Sequence, residues 1–141
     1  LVGLSGGVEE LEGDVGGNLG QSSQVHAVVD LFGPSALGLF AEESERFRHN
    51  KTPELLKSAS PVTYLSADDP PVLIFHGDED QVVPLGQSEH LHKRLQETGL
   101  ESSLTVIEGA KHGGLQFRDS TRYALIREFF ARHIKQSCAA D

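Results

Sequence analysis

The residues best suited to chemistry stand in two short stretches, His76-Gly77-Asp78-Glu79-Asp80 and Gly109-Ala110-Lys111-His112-Gly113-Gly114. The first holds three carboxylates, the second an imidazole among glycines. A histidine titrates near neutrality, so it can take a proton from a hydroxyl and later return it to a leaving group. A carboxylate bonded to one ring nitrogen fixes the tautomer and stabilises the imidazolium. Such a pair serves a nucleophile, and Gly3-Leu4-Ser5-Gly6-Gly7 has the G-x-S-x-G spacing of a nucleophile elbow. An elbow needs a strand before its serine and a helix after it. Only Leu1 and Val2 precede this motif, and glycines interrupt the stretch after it. Ser5 is therefore read as a loop serine. No C-x-x-C, H-E-x-x-H or acid and histidine cluster has ligand spacing, so neither a metal nor another cofactor is expected.

The elements around these residues set where they meet. Pro71-Val72-Leu73-Ile74-Phe75 is a short continuous apolar run, which suits a strand buried on both faces. Gly86 to Thr98 reads as an amphipathic helix, with Leu91 and Leu95 four apart and Gly99 as its stop. Leu104 to Ile107 is a second strand. Strand, helix and strand form a βαβ unit, so the loop of Asp80 and the loop of His112 leave the same carboxyl edge of a parallel sheet. That edge is where open α/β sheets place their chemistry.

Upstream, Gln24 to Phe32 predicts another strand, with Val25, Ala27, Val28, Val29 and Leu31 as core candidates and Asp30 near its end. Gly33-Pro34 breaks it. Residues 35–60 are irregular, with weak helices at Leu37 to Phe47 and Pro53 to Ser58. Downstream, Asp119 or Ser120 caps a helix over Thr121 to Lys135, whose apolar stripe is Tyr123, Ile126, Phe130 and Ile134, widened by Phe129. Gln136 to Asp141 is a frayed tail. His26 is expected to be structural and His49 and His133 solvent-facing. Glu9, Glu10, Glu12 and Asp14 read as a solvated acidic loop.

HGDEDQVVP followed by EGAKHGG resembles the last third of an α/β-hydrolase. More narrowly, it is similar to the bacterial esterase/lipase branch near the feruloyl-esterase-like and acetyl-esterase enzymes. In that family the catalytic order is Ser, Asp, His. Asp80 matches the acid of its HGxxDxxVP pattern and His112 the histidine of its GxxHGG pattern. Asp78 and Glu79 are the competing acids, and His76 takes a structural position. The resemblance implies a partial α/β-hydrolase fold of about three parallel strands with flanking helices. Residues 1–141 would be the C-terminal part of one domain, with 35–60 as a cap-like connection. The N-terminal half, with the elbow and an HGGG-type oxyanion segment, would lie upstream. In the family a GTSGGV-like turn comes after the helix that succeeds the true serine, in keeping with Ser5 as a loop serine.

The implied function is a carboxylic-ester hydrolase acting by Ser-Asp-His acyl transfer, with short acyl esters, including acetylated or feruloylated sugars, as substrates. The alternatives are a prolyl-oligopeptidase-type serine peptidase and a non-catalytic fragment or interaction module. Composition narrows the partners. A chain of 141 residues is one domain at most, and 38% hydrophobic with 23% charged residues suits a globular chain. A net charge of −9 argues against nucleic acid and anionic membrane surfaces. No apolar run has the length of a membrane span, and no signal peptide is visible. The sequence opens at Leu1 in mid-pattern, so a soluble protein, cytoplasmic or secreted, is expected without a choice of compartment. Cys138, the single cysteine, excludes an internal disulfide. An unpaired parallel edge predicts a homodimer, segment swapping or marginal stability for residues 1–141 alone.

Overall fold

The computed structural model describes residues 1–14, 17, 20–43, 47, 49 and 51–137. In chain order the elements are α1 (Glu9–Glu12), β1 (Val28–Leu31), α2 (Leu37–Glu43), α3 (Pro53–Ser58), β2 (Val72–Gly77), α4 (Gly86–Glu97), β3 (Ser102–Ile107) and α5 (Ser120–Ser137). The three strands form one sheet in the order β1-β2-β3, and both pairings are parallel. This is the α/β arrangement of parallel strands with flanking helices expected from the sequence.

β2 is the centre of the molecule, and all six of its residues are buried. Successive side chains point to opposite faces, and two separate cores result. Leu73 and Phe75 pack with Ile107, Ala110, Phe117 and Phe129 on the α5 side. Val72 and Ile74 pack with Leu4, Leu91 and Leu95 on the α4 side. This double coverage is why β2 is uniformly apolar rather than alternating.

Several predicted boundaries shift. β1 covers only four residues, not nine, and His26 stands outside it, exposed. Val28 pairs with Val72, and its N–H donates to the carbonyl of Pro71. Before Val72 the neighbouring chain is Pro70-Pro71, which has no N–H to offer a longer ladder. Of the core candidates, Val25 and Leu31 are exposed. β3 gains Ser102 and Ser103, which pair with Val72 and Leu73 although neither is apolar.

α4 begins and ends close to prediction; Gly99 takes a positive φ of 83° just beyond it. α2 ends at Glu43, and residues 44–46 of the predicted helix lie outside the described residues. α5 runs on to Ser137, two residues into the predicted tail; Cys138 and the rest of that tail lie outside the described residues. Within α5, Phe129 is the buried residue, while Tyr123 and Ile134 are exposed. His133 is not solvent-facing: its ring packs on Phe129 with centroids 4.7 Å apart.

Candidate active site

The loops after β2 and β3 are laced together before any functional side chain is considered. The Asp78 N–H donates to the Ile107 carbonyl and the Glu79 N–H to the Ala110 carbonyl. Asp78 Oδ1 accepts from the Gly109 N–H at 2.7 Å. Gly77 permits this approach: a Cβ there would lie 2.1 Å from the Ala110 oxygen. Beyond the crossing point the second loop turns through Gly113, with φ of 85°, a region costly for other residues.

This lacing brings Asp80 and His112 together. His112 Nδ1 lies 2.8 Å from Asp80 Oδ2. A carboxylate only accepts, so Nδ1 carries the proton and Nε2 is the basic nitrogen. The other oxygen, Oδ1, accepts from the N–H groups of Val82 and Val83 at 2.8 and 2.9 Å. The Asp80 side chain is fully buried, whereas 34% of the His112 side chain is exposed. Burial pushes the Asp80 carboxyl up. The Val83 N–H, the His112 side chain and the Val82 N–H outweigh it and hold the group below the ordinary carboxylate range.

The competing acids are occupied otherwise. Asp78 ties the loops together, and Glu79 is exposed. Asp30 accepts from the Gly33 N–H at 3.1 Å and lines a cleft of about 390 Å³ with Leu4, Val28, Ser35 and Pro61. Burial raises its carboxyl above the usual range.

Ser5 lies elsewhere. A 3-10 turn, Val2–Leu4, precedes it, and the single turn of α1 is the helix that comes next, so the strand, turn and helix of an elbow are not assembled around it. Its neighbours place it at the amino ends of the strands: a Cβ on Gly3 would strike Val28, and one on Gly6 would strike Gln24. Asp80 and His112 stand at the opposite edge, beyond a strand of roughly 16 Å at about 3.3 Å per residue.

Two residues at this edge were given no part in the site by sequence analysis. Phe32 follows β1 with a positive φ of 49°, and its ring lies 4.6 Å from the His112 ring and 4.8 Å from Phe117. The aromatic residue before Gly33-Pro34 was visible; its conformation was not. His76, assigned a structural position, reaches Asp80 as well, at 3.3 Å.

Comparison with known proteins gives the family. The BD-FAE family model matches residues 1–95. The chain belongs to the BD-FAE family. That match includes Asp80 and stops short of His112. Among relatives, esterase LipQ of Mycobacterium tuberculosis is 37% identical over 68 residues, which are 48% of this chain and 16% of LipQ. Among solved structures, a truncated carbohydrate esterase from gut microbiota is 29% identical with a TM-score of 0.81, over 93% of this BD-FAE chain and 53% of that one. An esterase of the Planctomycetes species Thermogutta terrifontis, solved with propionate bound, is 28% identical with a TM-score of 0.68, over 87% of this chain and 48% of its own. This BD-FAE chain therefore spans about half the length of these esterases and about a sixth of LipQ. Its fold is that of the matching part of an α/β-hydrolase.

Proposed function

We propose that this protein hydrolyses carboxylic esters by acyl transfer, with His112 as general base and Asp80 as its carboxylate partner. The observation that carries this is the 2.8 Å bond between His112 Nδ1 and a buried, ionised Asp80 at the carboxyl edge of the sheet. In the reaction, His112 Nε2 takes the proton of a serine hydroxyl as its oxygen attacks the ester carbonyl. The tetrahedral intermediate collapses, the C–O bond to the alcohol breaks, and Nε2 returns the proton to the leaving alkoxide. Water, deprotonated by the same nitrogen, then attacks the acyl carbonyl; the C–O bond to the serine breaks, Nε2 returns the proton to the serine oxygen, and the acid leaves. Asp80 stays ionised throughout and stabilises the imidazolium. Ser5 is not the nucleophile in this scheme; that serine is expected outside residues 1–141. Short acyl esters, acylated sugars among them, are the proposed substrates, in line with the carbohydrate esterase and the propionate-bound enzyme among the similar structures. Residues 35–60 are the cap-like connection that would shape the acyl pocket.

The test is p-nitrophenyl acetate turnover by the full-length protein. His112→Ala is expected to lower kcat by about 10³-fold or more, Asp80→Asn by a comparable factor, and Ser5→Ala by less than about twofold. Loss of turnover in Ser5→Ala, or its survival in His112→Ala, would overturn the assignment.

A further inference from the structure

Behind Asp80 lies a second histidine that the proposed acyl transfer does not use. His76 is fully buried at the end of β2, and both ring nitrogens are engaged. Nε2 lies 2.9 Å from the Val83 carbonyl and 3.3 Å from Asp80 Oδ2, while Nδ1 lies 2.6 Å from Ser88 Oγ on α4. The carbonyl of Val83 can only accept, so the proton sits on Nε2, and the Ser88 hydroxyl donates to Nδ1 in the neutral ring. The Nε2 proton is donated to the Val83 carbonyl, and Asp80 Oδ2 lies 3.3 Å from the same nitrogen.

Asp80 Oδ1 receives two backbone N–H groups, Oδ2 receives His112, and His76 Nε2 stands 3.3 Å from Oδ2 as a close contact. Three donors and one close imidazole contact therefore surround the carboxylate. A buried carboxylate bonded through both oxygens is held in one orientation. Without His76, the carboxylate would keep its bonds to Val82, Val83 and His112 but lose the ring that stands behind Oδ2. Ser88, His76 and Asp80 are superficially ordered like a triad, but the serine and histidine are fully buried, so this array is inaccessible to substrate.

We infer that His76, its tautomer set by the Val83 carbonyl and its ring held by Ser88, is a positioning residue that braces Asp80 Oδ2 for His112. This rests on the catalytic assignment of Asp80 and His112 proposed above. It goes beyond core filling, because only the Nε2 end of the ring touches Asp80.

Two polar substitutions of similar bulk separate the alternatives in the full-length protein. The amide of Gln reaches the place of Nε2, whereas that of Asn reaches only the place of Nδ1. His76→Asn is expected to lower kcat for p-nitrophenyl acetate by about 10- to 100-fold, with KM within about twofold, as misplacement of a reacting group does. His76→Gln is expected to restore kcat to within about fivefold of the parent. Proton and nitrogen NMR of the histidine rings supplies a readout independent of turnover. The His76 proton should sit on Nε2, and the downfield Nδ1 proton of His112 should persist in His76→Gln and be lost or displaced in His76→Asn. Equal kcat in the Gln and Asn variants, or a His76 proton on Nδ1, would overturn the inference while leaving the Asp80–His112 assignment intact. Full turnover in His112→Ala would overturn both.

Discussion

Phe32 holds a conformation that bulky L-residues avoid, with φ at 49°. Such strain costs roughly 1–3 kcal/mol and persists only where the surroundings enforce it. Here the Phe32 N–H donates to the Phe75 carbonyl, the last rung between β1 and β2, and the ring is wedged against His112 and Phe117. The ring therefore backs the imidazole, and the backbone turn aims it there. This gives an unusual prediction. At ordinary positions Ala is more stable than Gly by roughly 0.5–1 kcal/mol. At position 32 both substitutions remove the ring, but only Gly relieves the left-handed strain, so Phe32→Gly should be at least as stable as Phe32→Ala. Urea unfolding of the two variants measures the order; a clear advantage for Ala would contradict the enforced turn.

At the scale of elements, the site is a property of two loops that touch, not of either alone. β2 and β3 run parallel and in register from Val72 opposite Ser102 to Gly77 opposite Ile107, so their loops leave side by side. The crossing at Gly77 and Ala110 sets the separation of Asp80 from His112. Gly77→Ala would place a methyl 2.1 Å from a backbone oxygen and 2.6 Å from its carbon, and neither can swing aside as a side-chain tip can. The substitution is expected to destabilise by roughly 1–3 kcal/mol and to part the two loops. Thermal unfolding together with the His112 Nδ1 proton resonance tests it. An unchanged resonance would mean that the crossing does not set the pair's geometry. The sequence made the loops legible, because an apolar run ending in His76-Gly77 and a second ending before Gly109 are local signals. It did not show why Gly77 is required, since the clashing atom belongs to Ala110, far along the chain.

At the scale of the molecule, β1 is paired on one side only among the described residues. The N–H groups of Val28 and Phe32 point to β2, and in a parallel strand alternate residues share a neighbour, so those of Val29 and Leu31 point to the open side. The cleft of about 390 Å³ beside that edge is lined largely by apolar residues, among them Leu1, Leu4, Val28 and Leu91. A polypeptide of residues 1–141 alone is therefore expected to self-associate through β1. Light scattering should report a dimer or larger species, and Leu31→Pro, which removes an outward N–H without touching the β1–β2 ladder, should weaken it. A monodisperse parent monomer would refute this use of the edge. Among the described residues, no helix is long and apolar enough to cross a membrane.

The sequence by itself determined the α/β class, the parallel order and the loops that carry acid and histidine. Those features come from apolar periodicity and glycine punctuation, which act over a few residues. The resemblance favoured Asp80 among three consecutive acids, and tertiary structure supplies the reason: Asp78 is spent on the Gly109 N–H, Glu79 is exposed, and Asp80 is buried with its carboxylate turned to the ring. It also decided that His76 lies behind that carboxylate, that Ser5 stands at the far edge of the sheet, and that β1 stops at a strained phenylalanine. Each of these outcomes is a contact closed between distant segments when the sheet forms, and local residue pattern carries no record of which distant partner will arrive.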